Sequence, residues 1–316
     1  MNLFTDYAVG LDAHTAQAGT PVYIAGIQNV SLNSGLQTLA QGGNESIYNT
    51  HGALVSGAPA ASLSTIDLKT LLDECGVTAM KIDNGASGDG LILYCPIYAP
   101  GASREANDAS THWSATLASG MLVPRTLSVS HQQTAAISAD AIATFDGTTA
   151  PVTFAETADL PAGIYPSVAA EWTLGKIMLN ATPLTGLQNV SIDFGIQLIV
   201  RGSDSSTFPL IVSVEKTQPV ITVVGAHIGD TATLTEEGVY YTAEQVVVYL
   251  KKKAEGGTVV VDGTAEHIKM TLGKARADWV SIDGNPKTIT MRLTSWYTAG
   301  VAPISPLAIN TASAIT

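Results

Sequence analysis

Apolar and polar residues alternate over short runs along much of the chain, with the period of two that is typical of β-strands with one buried face. Two runs, 22–39 and 187–200, alternate over two strands each. Further strands are predicted at 90–98, 257–263, 267–273 and 287–297. The chain is therefore expected to be mainly β.

Tight-turn dipeptides separate several of these runs. Asp-Gly and Asn-Gly supply the positive φ angles that two-residue hairpin turns need, so each of them predicts a β-hairpin. They occur at Asn84-Gly85, Asp89-Gly90, Asp146-Gly147, Asp262-Gly263 and Asp283-Gly284.

Two polar segments interrupt the pattern. Residues 99–120 are predicted to form a long polar loop anchored by Trp113, and residues 126–165 an extended hairpin followed by an interdomain link. Loops longer than about 12–15 residues are usually functional or flexible. In an assembling protein such a loop commonly reaches a neighbouring subunit.

Two segments have a helical period instead. The first is predicted with Ser64 and Asp67 as a capping pair and Gly76 as its terminator. Its apolar stripe, at i, i+3, i+4 and i+7, comprises Leu68, Leu71, Leu72 and Cys75.

The second helix is predicted from a capping box of Thr242 and Gln245, with Gly256 at its end. The run Lys251–Lys253 would then lie at the helix C-terminus, where the dipole favours cations. The apolar stripe comprises Ala243, Val246, Val247 and Leu250.

The chain also repeats itself. Residues 26–59 and 186–219 align without a gap at an offset of 160, and ten of the 34 aligned positions are identical. Because the glycines and the proline keep their spacing, the two copies are expected to share a backbone path. The identical pairs are Gly26/Gly186, Gln28/Gln188, Asn29/Asn189, Val30/Val190, Ser31/Ser191, Gly35/Gly195, Gln37/Gln197, Gly42/Gly202, Ser46/Ser206 and Pro59/Pro219.

A repeat of this length indicates two copies of one domain, since the units of a solenoid run about 20–50 residues. The boundaries are placed at 1–165 and 166–316, and 316 residues are enough for two cores. Each domain is expected to be a β-sandwich or barrel flanked by one α-helix.

The composition points to an assembled protein. Charged residues make up 13% of the chain, against a typical figure of about 25%. No run reaches the roughly 18 apolar residues that span a bilayer, and the first residues show no secretory signal. Cys75 and Cys95 are too few for a disulfide framework, so a reduced, intracellular state is expected. Much of the surface is therefore predicted to be covered by other subunits.

The net charge of −12 is uneven: residues 1–165 contribute −10 and residues 166–316 contribute −2. A reader of nucleic-acid sequence needs a basic stripe to neutralise phosphates. The run Lys251–Lys253 is the only basic cluster, so specific DNA binding is not expected.

Candidate chemistry is sparse. The six histidines show no metal-ligand spacing, and no nucleophile or phosphate-loop motif is present, so neither a catalytic site, a metal site nor a cofactor is predicted. The four tryptophans are assigned to core or interface packing, with an aromatic sugar-binding platform left open. They are Trp113, Trp172, Trp279 and Trp296.

Three segments carry a family resemblance. Residues 18–50 (AGTPVYIAGIQNVSLNSGLQTLAQGGNESIYNT) resemble the tail tube proteins of long-tailed, non-contractile bacteriophages, and residues 184–223 (LTGLQNVSIDFGIQLIVRGSDSSTFPLIVSVEKTQPVITV) fit the same pattern. Residues 171–184 (EWTLGKIMLNATPL) resemble the strand that opens a tube domain. The match covers about half the chain, and carrying two copies departs from the common single-domain form.

The resemblance implies a structural protein of the virion, assembled in the host cytoplasm. Single-domain members form hexameric rings with a continuous inner β-barrel, so a two-domain chain is expected to form stacked trimeric, pseudo-hexameric rings. About four strands per domain would give roughly 24, which leaves an aqueous channel that could hold duplex DNA. The negative charge suggests an acidic channel that repels DNA during ejection. Expected partners are further copies and the tape measure, tail terminator and distal tail proteins, with no membrane.

Three other functions stay open. The first alternative is a tandem β-sandwich binding module, such as an adhesin, a capsid decoration protein or a carbohydrate-binding protein. An exposed aromatic cluster would distinguish it. A contraction-system or secretion-tube protein is a closer cousin. An enzyme such as a polysaccharide hydrolase would need a convergent acid pair, which a sequence cannot show.

Overall fold

The computed structural model describes fourteen stretches of the chain. They are residues 3–4, 8–11, 22–41, 51–83, 91–98, 112–158, 170–179, 181–203, 206–225, 239–241, 245–254, 257–284, 288–295 and 307–316.

In these stretches the chain is mainly β, as predicted, with one helix, α1 (Leu68–Cys75). The strands are β1 (Leu3–Phe4), β2 (Ala8–Leu11), β3 (Val22–Ile24), β4 (Ile27–Asn33), β5 (Gln37–Gln41), β6 (His51–Ser56), β7 (Ala60–Thr65), β8 (Met80–Asp83), β9 (Leu91–Tyr98), β10 (His112–Leu117), β11 (Ser119–Ser130), β12 (Ala136–Ala143), β13 (Val152–Ala158), β14 (Glu171–Leu179), β15 (Thr182–Pro183), β16 (Leu187–Asp193), β17 (Ile196–Arg201), β18 (Ile211–Thr217), β19 (Val220–Gly225), β20 (Val239–Tyr241), β21 (Val246–Lys253), β22 (His267–Leu272), β23 (Ala275–Asp283), β24 (Thr288–Ser295) and β25 (Leu307–Ser313).

The strands form three antiparallel sheets and two separate hairpins. A ten-stranded sheet runs in the order β20-β23-β24-β19-β16-β11-β12-β7-β4, with β8 also paired to β11. A six-stranded sheet runs β13-β10-β9-β2-β3, with β1 on β9, and a five-stranded sheet runs β15-β14-β21-β22-β25. The hairpins β5–β6 and β17–β18 follow equivalent strands of the two repeats.

One face of the ten-stranded sheet carries the core. Along β7 the side chains alternate, so that Ala61 and Leu63 are buried while Ser62 is exposed. The buried side chains join one apolar cluster that also includes Leu93 of β9 and Trp172 of β14. The two smaller sheets therefore contribute to the same core, and the opposite face of the large sheet, called the free face below, is lined by the polar residues.

The predicted first helix is confirmed as α1. The Asp67 carboxylate accepts the Thr70 N–H at 3.3 Å, and the chain leaves the helix at Gly76, which has a φ of +61°. The four predicted stripe residues are all buried. Ser64 lies on β7 and is not part of the cap.

The predicted second helix is wrong, because Val246–Lys253 form strand β21 between β14 and β22. Three consecutive valines have branched side chains that favour a strand. Pairing on both sides supplies two ladders of backbone hydrogen bonds, which outweighs the local helical pattern. Lys251–Lys253 therefore lie on a strand, and the described part of residues 166–316 contains no helix.

One strand prediction, one hairpin prediction and part of one loop prediction are also wrong. Residues 257–263 form a connection with a single bridge, Lys253↔Val259, instead of a strand. Asp146-Gly147 is not a hairpin turn, since β12 and β13 belong to different sheets. The end of the predicted 99–120 loop consists of β10 and the start of β11.

Two hairpins are found where they were predicted. β23 and β24 form one around Asp283-Gly284, but Asp283 pairs with Thr288, so the connection is longer than the expected two-residue turn. β11 and β12 form the one predicted near residue 126. Residues 22–39 contain three strands rather than two. Asn84-Gly85, Asp89-Gly90 and residues 99–111 lie outside the described residues.

The boundary between residues 165 and 166 stays a prediction. β11 from the first half pairs with β16 from the second, so the ten-stranded sheet is continuous across it.

Candidate functional site

The repeated motif builds the same strand pairs twice. β4 pairs with β7 as β16 pairs with β19, and each pair has its bulge at the equivalent place, between Ile27 and Asn29 and between Leu187 and Asn189. Paired residues correspond at the offset of 160, as in Val30↔Leu63 and Val190↔Val223. The expectation of a shared backbone path is confirmed for these strands.

The glycine at the end of each copy is required by its surroundings. Gly35 has a φ of +55°, its N–H donates to Asn33 Oδ1 at 2.9 Å, and an added Cβ would lie 2.2 Å from the Ala58 carbonyl oxygen. In the second copy Gly195 has a φ of +59°, and its Cβ would lie 1.9 Å from the Gln218 carbonyl oxygen. No other residue fits this turn without displacing backbone.

The remaining motif residues are divided between strands and turns. Gly26 and Gly186 have positive φ angles just before β4 and β16. Pro59 and Pro219 are buried before β7 and β19. Gln37 is the first residue of β5 and Gln197 the second residue of β17. The strand residues of β4 and β16 are Gln28, Asn29, Val30 and Ser31 with Gln188, Asn189, Val190 and Ser191.

The two halves meet in an internal joint, defined as residues 126–130 of β11 paired with residues 189–193 of β16. Leu127 pairs with Ile192 and Val129 with Val190, and all four side chains are at most 2% exposed. The Phe194 N–H donates to the Arg125 carbonyl oxygen at 3.0 Å. The joint is thus as well packed as the core.

The ten-stranded sheet ends at β4 on one side. Among the described strands, β4 pairs with β7 alone. Val30 and Leu32 are only half-buried, whereas their repeat counterparts, Val190 and Ile192, are fully buried in the internal joint. This strand is called the β4 edge.

An apolar groove of about 610 Å³ lies beside the β4 edge. It is lined by Val30 and Leu32 together with Trp113, Phe154 and Leu36, which is 49% exposed. The rings of Trp113 and Phe154 stack with their centroids 4.9 Å apart, although Phe154 is itself 59% exposed. Exposed apolar surface of this kind is typical of interaction sites.

The second end of the sheet is the last part of β23. β20 pairs with β23 only from Arg276 to Asp278, so that residues 279–283 have β24 on one side and no described strand on the other. Trp279, Val280 and Ile282 are 46%, 53% and 44% exposed. This segment is called the β23 edge.

Both edges were missed by the sequence analysis. Neither β23 nor the exposure of Trp279 was predicted, although the tryptophan was assigned to core or interface packing. The available signal was the repeat, because it relates β4 to β16, which pairs with a strand on each side.

The free face is polar, and it carries nearly equal numbers of positive and negative side chains. Its hydroxyls and amides make cross-strand contacts, such as Thr126 Oγ1 to Ser138 Oγ at 2.8 Å and Asn189 Nδ2 to Ser130 Oγ at 2.8 Å. The charged groups among its described side chains are the carboxylates of Asp140, Asp193, Asp278 and Asp283 and the cations of Lys81, Arg276 and Arg292.

Most of these charges are paired locally. Arg125, at the bulge of β11, donates from Nε to Asp140 at 2.7 Å, and Arg276 donates from Nη2 to Asp278 at 2.8 Å. The lysine run of β21 is also paired, since its three residues face Asp262, Glu266 and Glu171 at 2.6, 2.6 and 3.5 Å. These lysines therefore do not form a free basic patch.

No catalytic arrangement is found among the described residues. Burial raises the pKa of the Cys75 thiol to about 12, which makes it a poor nucleophile. His267 is fully buried, with Nδ1 accepting the Lys252 N–H at 3.2 Å and Nε2 3.0 Å from the Val261 carbonyl oxygen. In the described part of the chain no group of three His, Cys, Asp or Glu residues could hold a metal ion.

The chain matches no protein-family model and no curated protein. No helix in the described stretches is long and apolar enough to cross a membrane.

Proposed function

We propose that this chain is a structural subunit that joins edge to edge into rings, and that the rings stack into the tube of a phage tail. The observation that carries the proposal is the ten-stranded sheet, whose last part of β23 carries exposed apolar side chains and has a described strand on one side only. Exposed edges of this kind invite pairing with another chain and are normally blocked by charge, proline or cover. The resemblance of residues 18–50 and 184–223 to tail tube proteins supplies the identity of the assembly.

The number of strands supports a trimeric ring. Four strands of each half lie between the two edges: β4, β7, β12 and β11 from the first, and β16, β19, β24 and β23 from the second. Three copies would therefore contribute roughly 24 strands to a closed barrel, more than the 16–18 that already leave an aqueous channel. The two edges differ, so the contact is heterologous and closes into a ring when the rotation between copies allows it.

The free face would line the channel, because the other face carries the core. This face is lined mainly by hydroxyls and amides and offers DNA few cations to bind. Such a lining suits the passage of a polyanion. The acidic channel expected from the net charge stays a prediction. Carboxylates and cations nearly balance on the described part of this face, so the acidity would have to come from residues elsewhere.

The test is negative-stain electron microscopy of the purified chain over a range of concentrations, with the mass measured by light scattering. Rings or tubes with three-fold or pseudo-six-fold end views, and a mass of three chains or its multiples, are the expected result. A chain that stays monomeric at the highest concentration, with its fold intact by circular dichroism, would overturn the proposal.

A binding module is the second candidate, and the stacked Trp113 and Phe154 rings beside the groove favour it. Exposed, stacked aromatic rings can hold a sugar ring or an apolar side chain. The two functions differ in what covers the groove. Binding of a panel of oligosaccharides to the monomer, lost in Phe154→Ala, would support the module, and association without any such binding would support the tube.

A further inference from the structure

A second pocket, of about 530 Å³, lies on the outer face of the five-stranded sheet. The fully buried residues of β21 and β22 point into the core, and they are Val246, Val248, Leu250, Ile268, Met270 and Leu272. Because side chains alternate along a strand, Val247, Tyr249 and Lys269 lie on the opposite face, where they line the pocket. This pocket shares no lining residue with the groove beside the β4 edge.

The pocket is positively charged, because lysines line it and no carboxylate side chain does. Lys269 and Lys274 are part of its wall, and Lys176 lies beside it, donating from Nζ to the Thr316 main-chain oxygen at 3.1 Å. Neither Lys269 nor Lys274 forms an ion pair with a described residue. With Lys176 balanced by Thr316, two uncompensated positive charges remain in a chain whose net charge is −12.

A buried tyrosine brings a hydroxyl to the same place. Tyr249 is only 3% exposed, and its hydroxyl lies 3.2 Å from Thr316 Oγ1. Lys269 pairs with Tyr249 across the two strands, and its Nζ lies 5.9 Å from the centre of the tyrosine ring, within the reach of a cation–π contact. This contact restrains a side chain that is otherwise flexible.

We propose that this pocket binds an oxyanion, such as the phosphate or carboxylate group of a ligand. Each lysine ammonium group carries three donors and a full charge, and charge-assisted hydrogen bonds to oxyanions are the strong ones. Two such groups beside a phenol hydroxyl match a ligand group with several acceptor oxygens. Met178 and Val247 add apolar surface that displaces water, and the attraction between the charges is stronger where water is displaced.

Two sources can supply such a group, namely a small anion in solution and an acidic side chain of another copy. Residues 1–165 carry most of the negative charge, so a second chain offers many carboxylates. Duplex DNA in the proposed channel is not a source, because the core lies between this pocket and the free face. The pocket is complete within one chain and does not depend on the proposed assembly.

Calorimetric titration of inorganic phosphate into the monomeric chain tests the pocket, with sodium chloride adjusted so that the ionic strength stays constant. The wild type should bind one phosphate per chain. Lys269→Gln with Lys274→Gln should raise the dissociation constant at least about ten-fold, because each change removes a charge-assisted donor.

A matched double variant controls for the loss of charge. Arg201→Gln with Lys216→Gln removes two positive charges from the β17–β18 hairpin, where neither side chain forms an ion pair with a described residue. It should bind phosphate with the affinity of the wild type. Circular dichroism establishes that both double variants are folded.

Gly273 allows a test that adds a charge to the pocket. Nothing lies within 4 Å of a Cβ built at this residue, which lines the pocket, so a larger side chain fits there. Gly273→Glu would place a carboxylate beside the two lysines, and it should abolish phosphate binding and raise the melting temperature in phosphate-free buffer. Gly273→Gln has the same size without the charge and should not raise the melting temperature.

Phosphate binding that is weakened in the Lys269 and Lys274 variant alone supports the proposal. Absence of saturable binding by the wild type, an equal loss in the control, or equal melting temperatures for Gly273→Glu and Gly273→Gln would overturn it.

Sedimentation velocity distinguishes the two sources. If phosphate and the Lys269 and Lys274 variant both weaken association of the chain, the ligand group is a carboxylate of another copy. If association is unchanged by either, the ligand is a free anion. A chain that binds phosphate but stays monomeric overturns the proposed tube and leaves the pocket supported.

Discussion

Replacing Ile282 by aspartate should abolish association while leaving the folded monomer intact. Ile282 is 44% exposed and lies at the β23 edge, so a charged side chain there can reach water as long as the edge is open. In the proposed assembly, where another copy covers the β23 edge, the same carboxylate would be enclosed on the core side of the sheet. The change therefore acts on the contact rather than on the fold.

The magnitude follows from burial. Fully burying an isoleucine is worth about 1.5–3 kcal/mol, so covering the exposed fraction of Ile282 contributes roughly 1 kcal/mol to each contact. An unpaired polar group buried in its place costs about 1–3 kcal/mol, and a charge costs more. A total of about 3 kcal/mol or more corresponds to a dissociation constant raised at least about 100-fold.

Sedimentation velocity over a concentration series measures this dissociation constant. Thermal unfolding, at a concentration where the wild type and Ile282→Asp are both monomeric, measures the stability of the monomer. The control is Val261→Asp, which introduces the same charge at a valine that is 77% exposed in the connection between β21 and β22, away from both edges. Association of Ile282→Asp with the affinity of the control would refute the reasoning.

Three further predictions concern the fold and its edges. Leu127→Ala should lower the free energy of unfolding by about 2–5 kcal/mol because Leu127 is fully buried in the internal joint, whereas Ile282→Ala at the exposed β23 edge should lower that of the monomer by less than about 1.5 kcal/mol. Equal losses by chemical denaturation would contradict this difference in burial. Gly195→Ala should lower the free energy of unfolding by on the order of 3 kcal/mol, because of the positive φ and a clash between the new Cβ and a backbone carbonyl. Gly76→Ala, with a positive φ but nothing within 4 Å of its Cβ, should lower it by about 1 kcal/mol. Calorimetry measures both losses, and similar values would show that the clash is relieved. Cys75, whose pKa is raised to about 12 by burial, should not react with a thiol reagent at pH 8 until the protein is unfolded; rapid labelling of the native chain, located by mass spectrometry, would contradict this.

Sequence reasoning failed where neighbours decide the local structure. The segment around Val246 has apolar residues at helical spacing, but it also has three branched valines in a row, and both patterns are present in the letters. β14 and β22 resolve the ambiguity by pairing with this segment on either side. A local pattern cannot reveal this pairing, because β14 lies more than 60 positions away along the chain. Asp146-Gly147 failed for a related reason, since its flanking strands pair elsewhere.

The caps of α1 and the internal repeat were reliable signals. Asp67 and Gly76 bound α1 because capping depends only on groups within a few residues. The sequence by itself also determined that the pairs β4–β7 and β16–β19 share one backbone path, because glycines repeated at fixed spacing demand the same φ angles. Only the tertiary structure decided that β16 lies between two strands while β4 has one neighbour among the described strands, since pairing depends on which distant segments lie alongside, and two similar strands can differ in that alone.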